Sequence, residues 1–256
     1  MWKKIRVIIL LFILGYVAFQ AWQDSNQNWD KPVVVLLHPI NADGRATTAA
    51  YIQNLSAPEF YEIRDYLAQT AKRYQKKGDF MMVLGRTLEE APPKVEANAN
   101  VFDTILWSLK FRYYAWQQEK AADGYSTVTL YLNYYDSSAT KSLKHSTALE
   151  RGRIGIANIF ANAEQEPQNN VIITHELLHA FGAKDKYDLK TGQPIYPQGY
   201  ANPTQSPLLP QHRAELMAGY IPITEQKSVM PRNLQRTVIN DETAKEVGWI
   251  STHWWN

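Results

Sequence analysis

The chain has 256 residues, 45% of them hydrophobic and 20% charged, which is enough apolar material for a sizeable core and excludes a disordered tail. Its 27 basic and 25 acidic residues nearly cancel, so it lacks the cationic field that nucleic-acid binding requires, and no nucleic-acid partner is expected. There is no cysteine, which rules out a disulfide framework and any thiolate metal site and leaves the redox compartment open.

At the N-terminus, Lys3, Lys4 and Arg6 precede an apolar run from Val7 to Phe19 broken only by Gly15. A basic flank before such a run is an export signal. The stretch Val17 to Ala21 lacks the small-x-small pair that signal peptidase prefers, so residues 1–23 read as an uncleaved signal anchor in preference to a removed signal peptide. The run is shorter than the roughly 20 apolar residues that span a bilayer comfortably. Trp22 and Trp29 read as aromatics at the membrane interface, residues 24–31 as a polar linker, and residues 32–256 as one domain. That domain is expected outside the cytoplasm, periplasmic or at the cell surface, and secreted if the segment is cleaved.

Pro32 to Leu37 is a continuous β-branched and aliphatic run of strand length. Ser56-Ala57-Pro58-Glu59 is a capping box with Pro in the first turn, opening a helix to about Lys77 that Gly78 stops. Phe80 to Leu84 is a second strand, and strand, helix, strand in this order implies a parallel pair. Ala91 to Asn100 reads as a loop and Val101 to Ala121 as a helix whose many aromatics belong to a core. Thr127 to Tyr135 and Arg153 to Phe160 read as strands. Between them Asp136 to Gly152 is polar and basic; its Lys141, Lys144 and Arg151 read as a solvated loop, with a substrate groove as the alternative.

A helix beginning near Pro167 to Asn170 carries His175-Glu176-Leu177-Leu178-His179. Residues four apart share a helix face, so His175 and His179 can offer two imidazole nitrogens to one metal ion. Glu176 beside them can take a proton from a metal-activated water without being a ligand. Gly182 ends the helix in a turn that can bring Asp185 back to the histidines as a third ligand. Asp188, three residues later, and the distant Glu215 are the competing third ligands. The remaining histidines, His38, His145, His212 and His253, have no ligand partner at diagnostic spacing.

Lys186 to Pro210 holds five prolines and no sustained periodicity, and a long irregular loop of this kind suits one wall of a cleft. Met217, beside Gly219, and Met230, beside Pro231, are the two turn methionines that follow. Asn240 to Gly248 reads as a short helix, after which Trp249, Ile250, Trp254 and Trp255 dock the C-terminus.

His175, Glu176, His179, Gly182 and Asp185 resemble the extended signature H-E-x-x-H-x-x-G-x-x-H of the metzincin zinc metallopeptidases, with aspartate in the last position as in the snapalysin-like variant. The resemblance implies an α+β zincin: a mixed twisted sheet, an active-site helix, an irregular loop, a methionine turn under the metal and a C-terminal helix. It implies zinc held by His175, His179 and Asp185, Glu176 as general base, and a peptide or protein substrate. Tyr187, Tyr196, Tyr200 or Tyr220 would stabilise the oxyanion, and Met217 is the preferred methionine of the turn. The competing readings are an envelope-anchored binding protein with a non-catalytic zinc site and a zinc amidase acting on cell-wall amides.

Overall fold

The computed structural model describes residues 27–94, 100–119, 126–140 and 153–251, with isolated positions among residues 1–26 and 141–152. Most of the N-terminal apolar run lies outside the described residues, as do Lys141, Lys144, Arg151, His145, His253, Trp254 and Trp255. No helix among the described residues is long and apolar enough to cross a membrane.

Strand β1 (Val33–Asn41) is buried along nearly its whole length, as its unbroken aliphatic character requires of a strand covered on both faces. It pairs in parallel with β2 (Phe80–Leu84) on one side and β3 (Val128–Tyr135) on the other. β3 pairs in parallel with β5 (Ile154–Phe160), and the short β4 (Thr147–Ala148) adds an antiparallel edge. The sheet order is therefore β2-β1-β3-β5-β4, the mixed sheet expected. β1 runs past its expected end at Leu37 and through Pro39, which a central strand normally excludes. The carbonyls of Leu37 and Pro39 point to the β2 side, accepting from Gly85 and Leu88, and β2 itself ends opposite Leu37. Pro39 has no N–H with which to continue this ladder, and the regular pairing with β2 stops before it.

Helix α1 (Ala46–Gln53) has no counterpart in the sequence reading, because its two buried side chains, Thr48 and Ile52, make too short a periodic signal. A 3-10 turn, Ala57–Phe60, follows, opened by the Ser56 N–H donating to Glu59 at 2.8 Å, and leads into α2 (Tyr61–Arg73). α2 stops four residues short of Lys77 because Gln75 already takes a left-handed φ of 60°; Gly78, at φ 64°, then completes the reversal. α3 (Val101–Glu119) packs Trp107, Phe111 and Tyr114 on Ile40, Leu88, Tyr131 and Ile156. Leu130, Leu132 and Tyr134 of β3 point the other way, into a larger core shared with α2 and with α4 (Glu166–Ala180). α3 therefore covers one face of the sheet, and α2 and α4 the other. Only part of the α3 aromatic set is core, since Tyr113 and Trp116 are exposed.

The chain then forms two small pairs, β6 (Ala214–Glu215) parallel to β9 (Thr237–Val238) and β7 (Ile221–Pro222) antiparallel to β8 (Ser228–Val229), before the expected short helix α5 (Asp241–Glu246). Trp249 docks as expected, buried against Tyr74. Trp29 is not an interfacial residue. It is buried edge-on to Trp249, with its indole N–H donating to the Val247 carbonyl at 2.9 Å, so the packed structure starts inside the segment read as linker.

Candidate metal centre

Helix α4 is buried on several sides, not on one stripe, because it lies between the sheet and the C-terminal segments. Its first turn is locked to the end of β5 by a side-chain amide: Asn169 accepts from the Phe160 N–H at 3.2 Å and donates to the Phe160 carbonyl at 2.8 Å, continuing the strand's hydrogen bonding. This fixes the rotation of the helix and hence the direction in which His175 and His179 point.

The helix ends in a Schellman turn. Gly182, at φ 102°, donates to the His179 carbonyl, and the Ala183 N–H reaches back to the Leu178 carbonyl. The reversal brings Asp185 against the histidines. His175 Nε2 and His179 Nε2 lie 3.0 Å apart, and Asp185 Oδ1 lies 3.2 Å from the first and 3.1 Å from the second. His175 Nδ1 is 3.0 Å from the Leu216 carbonyl and His179 Nδ1 is 2.7 Å from the Ala183 carbonyl. A carbonyl can only accept, so both Nδ1 atoms carry the proton, and in the neutral rings both Nε2 atoms present lone pairs.

Three electron-rich atoms thus face one another at about hydrogen-bond distance. They repel unless a positive charge sits among them. The separations approach the edge of about 3.3 Å in a tetrahedron with metal–ligand bonds of about 2.0–2.1 Å, and the donor set of two imidazoles and a carboxylate suits a divalent cation. His175, His179 and Asp185 together can hold a metal ion. Burial alone would raise the Asp185 pKa, but positive charge at the facing imidazoles, present when the rings are protonated, outweighs that and holds it well below the usual carboxylate range.

Glu176 is buried, and its Oε2 has no hydrogen-bond partner. Burial pushes its pKa up to about 8; the charge on Asp185 adds to the rise and His175 opposes it. Tyr187 stands beside this group: burial and then the Asp185 charge raise its pKa, and Glu176 contributes in the same direction. Of the other tyrosines, Tyr196 and Tyr200 pack edge-on against each other, and Tyr220 is 41% exposed and near enough to Tyr187 to add to the rise of its pKa.

The competing ligands lie elsewhere. Asp188 accepts from the N–H groups of Lys190 and Thr191 and from the Thr191 hydroxyl, in a turn of its own. Glu215 is fully buried and accepts from the Met217 N–H at 2.6 Å, the Ala218 N–H at 3.2 Å and the Thr243 hydroxyl at 2.7 Å. It caps the 3-10 turn Leu216–Ala218, whose Leu216 carbonyl orients His175. Met217 is buried in that turn, whereas Met230 is half-buried beyond β8. His38 is a core histidine, stacked on Tyr131 and bonded to the Arg86 carbonyl, and His212 is exposed.

Sequence reasoning missed Lys186 and Glu246. Glu246 accepts from the Lys184 N–H at 3.0 Å and from the buried Lys186 ammonium at 2.7 Å, gripping the chain on both sides of Asp185. Glu246→Ala is expected to lower stability by about 3 kcal/mol, because it leaves that ammonium buried without its carboxylate. The denaturant midpoint reads the loss, and adding Lys186→Met should restore part of it.

No protein-family model matches the chain, and no curated protein is significantly similar to it.

Proposed function

We propose that the chain is a zinc metallopeptidase of metzincin type, with His175, His179 and Asp185 as ligands and Glu176 as general base. The observation that carries this is the meeting of two imidazole Nε2 atoms and one carboxylate oxygen at 3.0–3.2 Å, with both Nδ1 atoms already committed to carbonyls. Three protein donors and one open position are the usual composition of a catalytic zinc site. Zinc bound there would polarise a scissile carbonyl and make water nucleophilic near neutral pH.

The chain's own residues do the rest. Glu176 takes the proton of the attacking water and returns it to the amine as the carbon–nitrogen bond breaks. Its buried setting keeps bulk water from competing for the carboxylate. Tyr187, whose side chain bonds to Asp185, supplies a hydroxyl for the developing oxyanion. The turn Leu216–Ala218, with Met217 at its centre, fills the place of the methionine turn. The irregular 186–210 segment, tied down by Gln205 and Gln211 side chains that serve the carbonyls of Pro207, Leu208 and Pro210, forms a wall for an extended peptide. The domain acts outside the cytoplasm, tethered by its N-terminal segment.

The test is to strip the protein of metal with a chelator, reload it with zinc and offer it a broad peptide library and cell-wall amides. Zinc-dependent peptide cleavage is the expected result. Protein that holds one zinc and cleaves nothing would favour a centre that braces the fold of a binding protein, and cleavage of wall amides alone would make it an amidase.

A further inference from the structure

Helix α3 is apolar twice over. One side supplies Trp107, Phe111 and Tyr114 to the core, and the opposite side presents Phe102, Ile105, Leu106, Leu109, Tyr113 and Trp116 at the surface, with Phe102 81% and Leu109 59% exposed. Spaced three and four apart, these six form a continuous stripe about 100° wide along the full helix. Scattered exposed apolar residues are ordinary, whereas a stripe of this length marks a contact surface.

The charges beside the stripe indicate its partner. Lys110 and Arg112 lie about 80° to either side of the stripe's axis at the middle of the helix, and the acidic residues Asp103 and Glu119 are confined to its ends. Cationic borders on an apolar face that carries a Tyr–Trp pair fit a lipid interface, where aliphatic stems lie along the acyl boundary and the cationic heads reach anionic phosphates. A second copy fits less well: antiparallel pairing along this seam sets Lys110 against Lys110 and Arg112 against Arg112.

We infer that α3 lies in the interface of an anionic bilayer, with this stripe immersed and Lys110 and Arg112 at the headgroups. The inference rests on the anchor reading of residues 1–23 and is independent of the metal chemistry. The nine residues from Gln20 to Asn28 separate the apolar run from the buried Trp29. Fully extended they reach at most about 30 Å, so the anchor holds the domain near the bilayer and makes a weak interfacial contact effectively intramolecular, although Trp29 itself packs in the core on the other face of the sheet. α3 and the metal-site helix α4 cover opposite faces of the sheet, so docking in this way directs the centre toward the aqueous phase and toward soluble substrates.

The chain has no cysteine, so one introduced thiol gives a unique probe site. The full chain carrying Leu109→Cys with an environment-sensitive fluorophore is reconstituted in vesicles of phosphatidylcholine and phosphatidylglycerol containing lipids brominated on the acyl chains. Gln226→Cys, in the exposed β7–β8 turn, is the reference. The expected result is quenching at position 109 at least about threefold stronger than at 226, reduced to the reference level when Phe102 and Tyr113 are both changed to Glu. Aqueous emission at 109 in vesicle-bound protein overturns the inference, and so does failure of the chain to associate with the vesicles. A blue-shifted label before vesicles are added also overturns it, and identifies a second copy or residues 1–26 as the occupant.

Discussion

Glu176→Gln is expected to lower kcat/KM for peptide hydrolysis by about 10²–10⁴-fold while the protein still binds one metal ion per chain. Glutamine keeps the shape of the side chain and removes its ability to take a proton. Because the Glu176 Oε2 has no hydrogen-bond partner, the neutral amide breaks no observed bond at that atom, and burial already favours the uncharged form of this side chain. Thermal stability should therefore hold or rise while the rate collapses, a combination that damage to the fold does not produce. Peptide hydrolysis at the wild-type rate would remove Glu176 from the mechanism.

The second large effect is on the frame. Glu215→Ala is expected to destabilise the protein by about 3 kcal/mol, since it strips the acceptor from three backbone N–H groups, those of Met217, Ala218 and Asn240, and one hydroxyl in a fully buried place. It should also weaken metal binding, because the turn it caps carries the Leu216 carbonyl that orients His175, and loss of such an outer partner typically weakens affinity about 10–100-fold. Denaturant melts and metal titration read the two consequences separately. Burial holds the Glu215 pKa above its ordinary 4.5, against opposing hydrogen bonds and the charge of Lys186. The folded state thus binds this proton more tightly than the unfolded chain. Its contribution to stability is fully present below the unfolded value and is lost as pH rises through the folded one. Glu215→Gln should lack that loss.

The helix carrying His175 and His179 was legible because a spacing of four translates directly into one helical face. Asp185 was legible through Gly182, whose left-handed turn has a local sequence signature. The strands β1, β2, β3 and β5 were legible as β-branched and aliphatic runs. The supports of the centre were not. Glu215 reads as a competing ligand because a carboxylate's type is all that the sequence displays, while its partner Thr243 is 28 positions away. Glu246 and Lys186, 60 positions apart, meet only after the C-terminal helix has docked. Trp29 reads as interfacial because an aromatic beside a polar stretch looks the same whether it faces lipid or Trp249. The same ambiguity divides α3, whose periodicity shows two apolar sides without showing which one the sheet takes.

Zinc titration of the wild-type protein beside Asp185→Ala and Asp188→Ala tests the central claim most directly. The predicted result is one tight site per chain in the wild type and in Asp188→Ala, with affinity lost in Asp185→Ala. Retention in Asp185→Ala with loss in Asp188→Ala, or no stoichiometric site in the wild type, would contradict the centre built on His175, His179 and Asp185.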